Sequence, residues 1–240
     1  MESGITEIDI VILSFAQTEE LKQVTMNCLA SLMASEDPEL IKFNIIIVES
    51  RKDLAPFQYE YGQTVYADQP FGYNRYMNIG ISMTSAPYVC LCNNDLFFHK
   101  HWATEILKPF KVHEDLYSAS PLCTIHHPKF GILPNIGVLQ GNRVRLEVSG
   151  WCLFFKRSML NLIGQLDENF TFLHASHDYM HLLWVLDIKH FLVTSSLVDH
   201  LDHTTINRQE PGRYDELTSR QRTYYEKKWA HRLGHNWEAI

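Results

Sequence analysis

Two apolar runs constrain the fold more than any other feature of the chain: IDIVILSF at 8–15 and FNIIIVES at 43–50. Both are β-branched and apolar at consecutive rather than alternate positions, the pattern of a strand buried on both faces of a sheet. Between them, TEELKQVTMNCLASLMAS returns Leu21, Val24, Cys28, Leu29 and Leu32 at three- and four-residue spacing. Thr18 is placed to cap this helix, and acids follow in its first turn. Strand, helix and strand make a βαβ unit, whose crossover is expected to be right-handed.

The alternation continues. An apolar stretch near Val65 precedes FGYNRYMNIGISMTSA, helical in its spacing of Tyr76, Ile79 and Met83, and then PYVCLCNND, a third buried strand. HWATEILKPF reads as a helix stopped near Pro109. From Ser120 to Arg143, Pro121, Pro128 and Pro134 with several glycines and histidines predict a long functional loop. VRLEVSGWCLFFKR reads as strand, SMLNLIG as a short helix, SHDYMHLLWVLDI as a helix capped by Ser176, and HFLVTSSLV as the last strand. Asp215 to Gly234 is a charged amphipathic helix with a glycine stop. The expectation is an α/β protein with a central, mostly parallel mixed sheet flanked by helices. Residues 1–210 are expected to form one domain, with 211–240 a helical extension packed on it.

Hydrophobic residues make up 45% and charged residues 20% of the 240, which excludes a disordered, fibrous or coiled-coil chain. The net charge of −7 weighs against extended, sequence-independent nucleic-acid binding. No apolar run reaches the ~18 residues of a membrane span and no basic region precedes the first apolar stretch, so the expected location is cytoplasmic. Five scattered cysteines point to free buried thiols. Cys90 and Cys92 share one face of a strand, and a zinc site there needs two further ligands.

In an open, mostly parallel sheet, ligands bind outside the carboxyl ends of the strands. The polar residues at those ends are Ser14, Glu49 with Ser50, Asn93-Asn94-Asp95, and the run His200-Leu201-Asp202-His203. Asp95, a carboxylate flanked by amides, suits a hard divalent cation that also bridges phosphate oxygens. The same tripeptide also suits an ordinary turn. Gly72 and Gly80, with Arg75, permit backbone amides and a guanidinium to approach a diphosphate. Neither GxGxxG nor GxxxxGK[ST] occurs, so a dinucleotide site or P-loop is unsupported. Asp178, beside His177 and His181 in the first turn of a helix, is either a general base or a plain N-terminal helix acid.

In order and spacing these pieces resemble the family 2 type of A-fold (GT-A) glycosyltransferase from Ile8 to about Thr205. IDIVILSF is similar to its opening strand, IIIVES to the strand whose acids hold the nucleoside, FGYNRYMNIGI to its glycine- and asparagine-bearing helix, and CLCNNDLFF to its Asp-x-Asp strand. SGWCLFFKRSMLNLIGQLDENF, HASHDYMHLLW and VDHLDHTT resemble, in turn, the family's glycine-led strand and turn, its Glu-Asp motif and its late histidine. Asn93 stands where the family has the first Asp of Asp-x-Asp, and His177 where it has the glutamate of Glu-Asp.

The resemblance implies a metal-dependent glycosyltransferase that moves a sugar from a nucleoside-diphosphate sugar, a UDP-sugar first, to an acceptor hydroxyl with inversion. It assigns donor binding to Ser14, Glu49, Asp53, Gly72, Arg75, Asn78, Asn93 and Asn94. Manganese or magnesium falls to Asp95 with His200 or His203, the sugar and acceptor pocket to Gly150, Trp151 and His177, and the base to Asp178. A saccharide or glycan is the expected acceptor, with a modified nucleic-acid base the minority case, since positive charge in the 120–143 loop is scattered. Two rivals stand beside this reading. A nucleotidyltransferase of the same architecture normally carries a basic glycine-rich loop where this chain reads AQTEE, and a catalytically silent sugar-nucleotide-binding module fits the two departures.

Overall fold

The computed structural model describes residues 4–201 and 221–230. Both apolar runs are strands, β1 (Thr6–Ser14) and β2 (Ile41–Glu49), parallel from Thr6 opposite Ile41 to Ser14 opposite Glu49. Along β1, Ile8, Ile10 and Ile12 enter one core layer and Val11 the other, which is why the run needs apolar residues at successive positions. Helix α1 (Glu19–Met33) starts where expected: the Thr18 hydroxyl accepts the Leu21 amide at 3.4 Å.

The remaining elements are β3 (Gln63–Tyr66), α2 (Tyr73–Ser82), β4 (Tyr88–Asn93), β5 (Leu96–Phe98), α3 (Trp102–Val112), β6 (Leu116–Leu122), β7 (Val138–Gln140), β8 (Cys152–Lys156), α4 (Leu160–Ile163), α5 (Ala175–Val185), β9 (Lys189–His200) and a helix over 221–230, α6. The strands lie in the order β3-β2-β1-β4-β8-β6-β9-β5, with β7 also on β9. β3, β2, β1 and β4 are mutually parallel, β8 runs against both β4 and β6, and β9 runs with β6. The carboxyl ends of β1, β2, β4, β6 and β9 therefore share one edge, and β8 starts there.

Helices cover both faces. Cys28 and Leu29 of α1 and Trp102 and Ile106 of α3 join one core layer. Met77 of α2, Tyr179 and Leu183 of α5, and Tyr225 and Trp229 of α6 join the other. At Gly80 a Cβ would lie 2.3 Å from Val11 Cγ1, so α2 packs its backbone directly against the Val11 side chain of β1. Inside β1, the buried Asp9 accepts from Ala86 N at 2.7 Å and Asn44 Nδ2 at 3.0 Å and pairs with Arg157. Among the described residues no helix is long and apolar enough to cross a membrane.

Several local expectations are corrected. The stretch from Ser120 is not all loop: it begins inside β6, continues through a 3₁₀ turn at His127–Phe130, and includes β7. Pro109 does not stop α3, which runs on to Val112. Ser176 lies inside α5, whose cap is His174 at φ 64°. The strand before α4 is shorter than VRLEVSGWCLFFKR, because 144–151 turn back through a Val144–Val148 bridge. Met83 is exposed, and the face that α2 buries is Tyr73, Tyr76, Met77, Gly80 and Ile81. Of the expected tail helix, 221–230 is helical. Asp202, His203 and the boundary at 210 lie outside the described residues.

Candidate functional site

The shared carboxyl edge gathers residues from distant parts of the chain. Asp95 follows β4, and Leu96 of β5 pairs with His200 at the end of β9. His200 Nε2 lies 3.2 Å from Asp95 Oδ1 and 3.4 Å from Asn93 Nδ2, and the Leu201 amide donates to the Asp95 carbonyl at 3.0 Å. Trp151, just before β8, lays its ring on the His200 imidazole, and its carbonyl accepts the Asn93 amide at 2.9 Å. His126, edge-on, and His127, tilted, also contact the Trp151 ring. Next to His200, Asp199 accepts from the Thr124 amide and hydroxyl at 2.6 and 2.8 Å and pairs with His99 Nε2 at 2.7 Å, tying the β6–β7 connection to β9.

Gly150 joins this cluster to α5. A Cβ there would sit 2.6 Å from Ser176 Cβ, so the first turn of α5 abuts the turn that carries Trp151. Trp151 Nε1 and His177 Nδ1 are buried and have no hydrogen-bond partner among the described residues. Burial, helped by His174 and Arg145, pushes His177 down to about 4, so it is neutral at physiological pH.

The other expected residues fall into three networks. Ser14 Oγ contacts Thr25 Oγ1 at 3.0 Å and Tyr59 OH at 2.8 Å, and Asn94 Nδ2 donates to Thr25 Oγ1 at 2.9 Å. Glu49 Oε1 accepts the Ala16 and Arg51 amides at 3.0 and 2.9 Å, and Tyr59 OH reaches Oε2 at 3.3 Å. This network adjoins the Asp95–His200 cluster, because Asn94 lies between Asn93 and Asp95. Asp53 stands outside it, paired at 2.8 Å with Arg51, whose hydrogen bond lowers the Asp53 pKa.

In the second network, Arg75 pairs with Glu168 at 2.9 Å. Asn78 brackets Leu166, donating to its carbonyl and accepting its amide. The amide of Tyr73, next to Gly72, donates to the Thr171 carbonyl at 2.7 Å, so the start of α2 holds 166–171 in place.

The third network surrounds Asp178, which is 2% exposed. Its Oδ1 accepts from Trp229 Nε1 at 2.9 Å and pairs with Lys228 at 2.8 Å, and Lys228 also reaches Asp167 at 2.8 Å. Burial raises the Asp178 pKa against the pull of Lys228. Burial also works against the Lys228 ammonium, but Asp167 and Asp178 raise its pKa. Beside them, Tyr225 OH bonds His181 Nδ1 at 2.7 Å. Sequence reasoning missed Lys228, Trp229 and Tyr59. Thr25 carried a usable signal, being a lone hydroxyl on the apolar face of α1.

No family model matches the chain, and no curated protein sequence matches it. Solved structures do. The crystal structure of GalNAc-T7 with UDP, GalNAc and Mn2+ superposes with a TM-score of 0.64 at 11% identity, over 83% of this chain and 44% of that one. The chain has a GT-A-like fold. It spans less than half the length of the GT-A structure it matches, and at 11% identity that likeness establishes architecture alone.

An open cleft of about 480 Å³ is lined by Phe130, which also contacts His126, and by Ile132, Val138, Leu139, Gln140, Arg143, Leu146 and Glu147. Its volume suits a small organic ligand or one or two sugar rings. The Arg143–Glu147 pair forms its polar wall.

Proposed function

We propose that the chain is a metal-dependent glycosyltransferase that moves a sugar from a nucleoside-diphosphate sugar to an acceptor hydroxyl with inversion. The observation that carries this reading is the meeting of Asp95 and His200, at 3.2 Å, on the carboxyl edge of the sheet. One carboxylate and one imidazole, with Asn93 beside them, form an oxygen- and nitrogen-donor set that would hold manganese or magnesium. The metal, when bound, neutralises charge on the departing diphosphate. The GT-A-like fold and the UDP and Mn2+ named for GalNAc-T7 support the donor class.

The chain's own residues then divide the work. Glu49, Ser14 and Asn94 shape the wall on which the nucleoside rests, with Asp53 at its rim. Trp151 offers an indole N–H to the sugar, and neutral His177 offers a ring nitrogen. Asp178 takes the acceptor proton, with Lys228 keeping it ionised, and acceptor entry requires its contact with Lys228 to yield. The cleft beside Arg143 suits a saccharide acceptor. We assign Gly72, Arg75 and Asn78 to holding the 166–171 segment from which the Asp178 network is built.

One observation favours a second reading: the Asp178 carboxylate is covered by Lys228 and Trp229, as a silent sugar-nucleotide-binding module would allow. Calorimetry with a panel of sugar nucleotides, with and without manganese and followed by product analysis, separates the cases. Metal-dependent binding with donor turnover is expected. Binding without turnover supports the silent module, and metal-independent binding removes Asp95 and His200 from the metal role.

A further inference from the structure

A different cluster lies one residue beneath this edge. β4 and β8 pair antiparallel with Cys92 opposite Cys152, and Cys90 stands two residues back on the same face. Cys90 Sγ is 3.4 Å from Cys92 Sγ and 3.6 Å from Cys152 Sγ, and all three sulfurs lie within 4.8 Å of one another. Each cysteine is fully buried, in the layer that holds Trp102 and Phe154. The geometry points to a binding site for one trivalent arsenic atom, taken up as arsenous acid by Cys90, Cys92 and Cys152.

Three features select this ligand. Among the described residues, no histidine, carboxylate or fourth cysteine joins the group, whereas structural zinc asks for four tetrahedral ligands. Three sulfurs in mutual contact on one face match a pyramidal three-coordinate centre. The second feature is charge. Three thiolates on a monovalent or divalent ion leave net negative charge in an apolar interior, which is costly, whereas a trivalent centre leaves none.

The third is proton balance. Three S–H bonds and the three As–OH bonds break, three As–S bonds form, and three water molecules leave. Arsenic stays trivalent, no electron is supplied or released, and from three thiols the protons balance. Burial pushes the Cys90 and Cys92 thiols up, whereas at Cys152 burial is outweighed by hydrogen bonds with these two, which lower it to about 6, so a Cys152 that starts as thiolate takes one proton from solvent as its hydroxide leaves as water. Arsenous acid is itself small and uncharged at neutral pH, so it enters an apolar core by local opening of the kind that hydrogen exchange detects.

The inference does not depend on the proposed transfer reaction, and its test reads composition rather than activity. The reduced full chain is incubated with sodium arsenite, and a second sample is refolded from denaturant in its presence. Intact mass is expected to rise by one arsenic less three hydrogens. Titratable thiols in the denatured adduct are expected to fall from the five of the sequence to two. Arsenic X-ray absorption is expected to show three sulfur neighbours and no oxygen. Cys90→Ser should give at most a two-sulfur adduct that retains an oxygen, while Cys123→Ser keeps three sulfurs. No adduct in either the native or the refolded sample overturns the assignment, as does a three-sulfur adduct that persists in Cys90→Ser.

Discussion

The Trp151 indole lies flat on the His200 imidazole, with ring centroids 5.1 Å apart and planes 1° apart. Stacking fixes the plane of the imidazole, and the Cys123 sulfur, which accepts the His200 amide at 3.4 Å, fixes the backbone behind it. The ring therefore presents Nε2 to Asp95 without a ligand to organise it. Orientation of this kind, supplied by neighbours that do not themselves bind, commonly sets a metal site's affinity.

Trp151→Phe and Trp151→Ala should behave differently. Phenylalanine keeps a stacking face and removes a buried N–H that has no partner among the described residues. Its effect on stability should stay within about 1.5 kcal/mol. Alanine should cost about 3–5 kcal/mol. Urea unfolding checks this, and equal losses from the two variants would show that stacking is not what matters at this position.

A metal-linked response should follow His200. With a nucleoside diphosphate and manganese at ~100 times the dissociation constant, about 2.7 kcal/mol of added stability corresponds to roughly 5–10 °C in melting temperature. Chelator should remove it. His200→Ala should weaken manganese affinity by about tenfold or more, and His203→Ala by less. A manganese titration that gives the reverse order transfers the ligand role to His203.

Lys228→Met should leave the Asp178 charge buried and unpaired. The expected cost at neutral pH is about 3–5 kcal/mol. The sign of its pH dependence follows from Asp178, whose folded pKa is already raised by burial and rises further without Lys228. Protonation then favours the folded state, so the deficit should shrink as pH falls through that raised pKa. Adding Asp178→Asn should recover much of the loss. A deficit that is flat from pH 7 to 4.5 would count against an unpaired buried charge.

Stability should decline with acid through two histidines. Burial lowers both His177 and His190 to about 4. His190 is held neutral between Ser118 Oγ at 2.7 Å and the Glu147 carbonyl at 2.9 Å. Unfolded, each takes a proton near pH 6.5, so between there and pH 4 the unfolded chain binds about two more protons. The slope is then roughly 2.7 kcal/mol per pH unit, lost as pH falls. Denaturant midpoints measured across this window test it, and a His190→Gln variant with an unchanged slope would remove His190 from the account.

What was legible in the sequence follows from burial. β1, β2 and β4 lie mid-sheet with both faces covered, so most of their positions are apolar, Asp9 being a buried exception held by its own partners, and the runs declare themselves. β6 hid because its sequence, LYSASPL, meets the core through hydroxyls: Ser118 bonds Tyr179 and His190, and Ser120 accepts the Ser149 amide. The strand-end rule places Asp95 and His200 on one edge, where the fold brings them to 3.2 Å, since it depends only on direction within the sheet. It could not find Lys228 or Trp229, which reach Asp178 from 50 and 51 positions away on a helix that shares no strand register with it. Arg75 and Asn78 read as ligand-facing from sequence because a glycine-bearing helix start is open in isolation. Here the 166–171 segment closes it.

The convergence of β4, β6, β8 and β9 on one edge also has a kinetic side. Asn93 and His200 touch across 107 positions of chain, so the pair comes together only after a large loop has closed and the intervening strands have found their places. No local segment can preassemble it. The appearance of manganese affinity during refolding should therefore be among the last signals to develop, which makes the ion a clock for completion of the sheet.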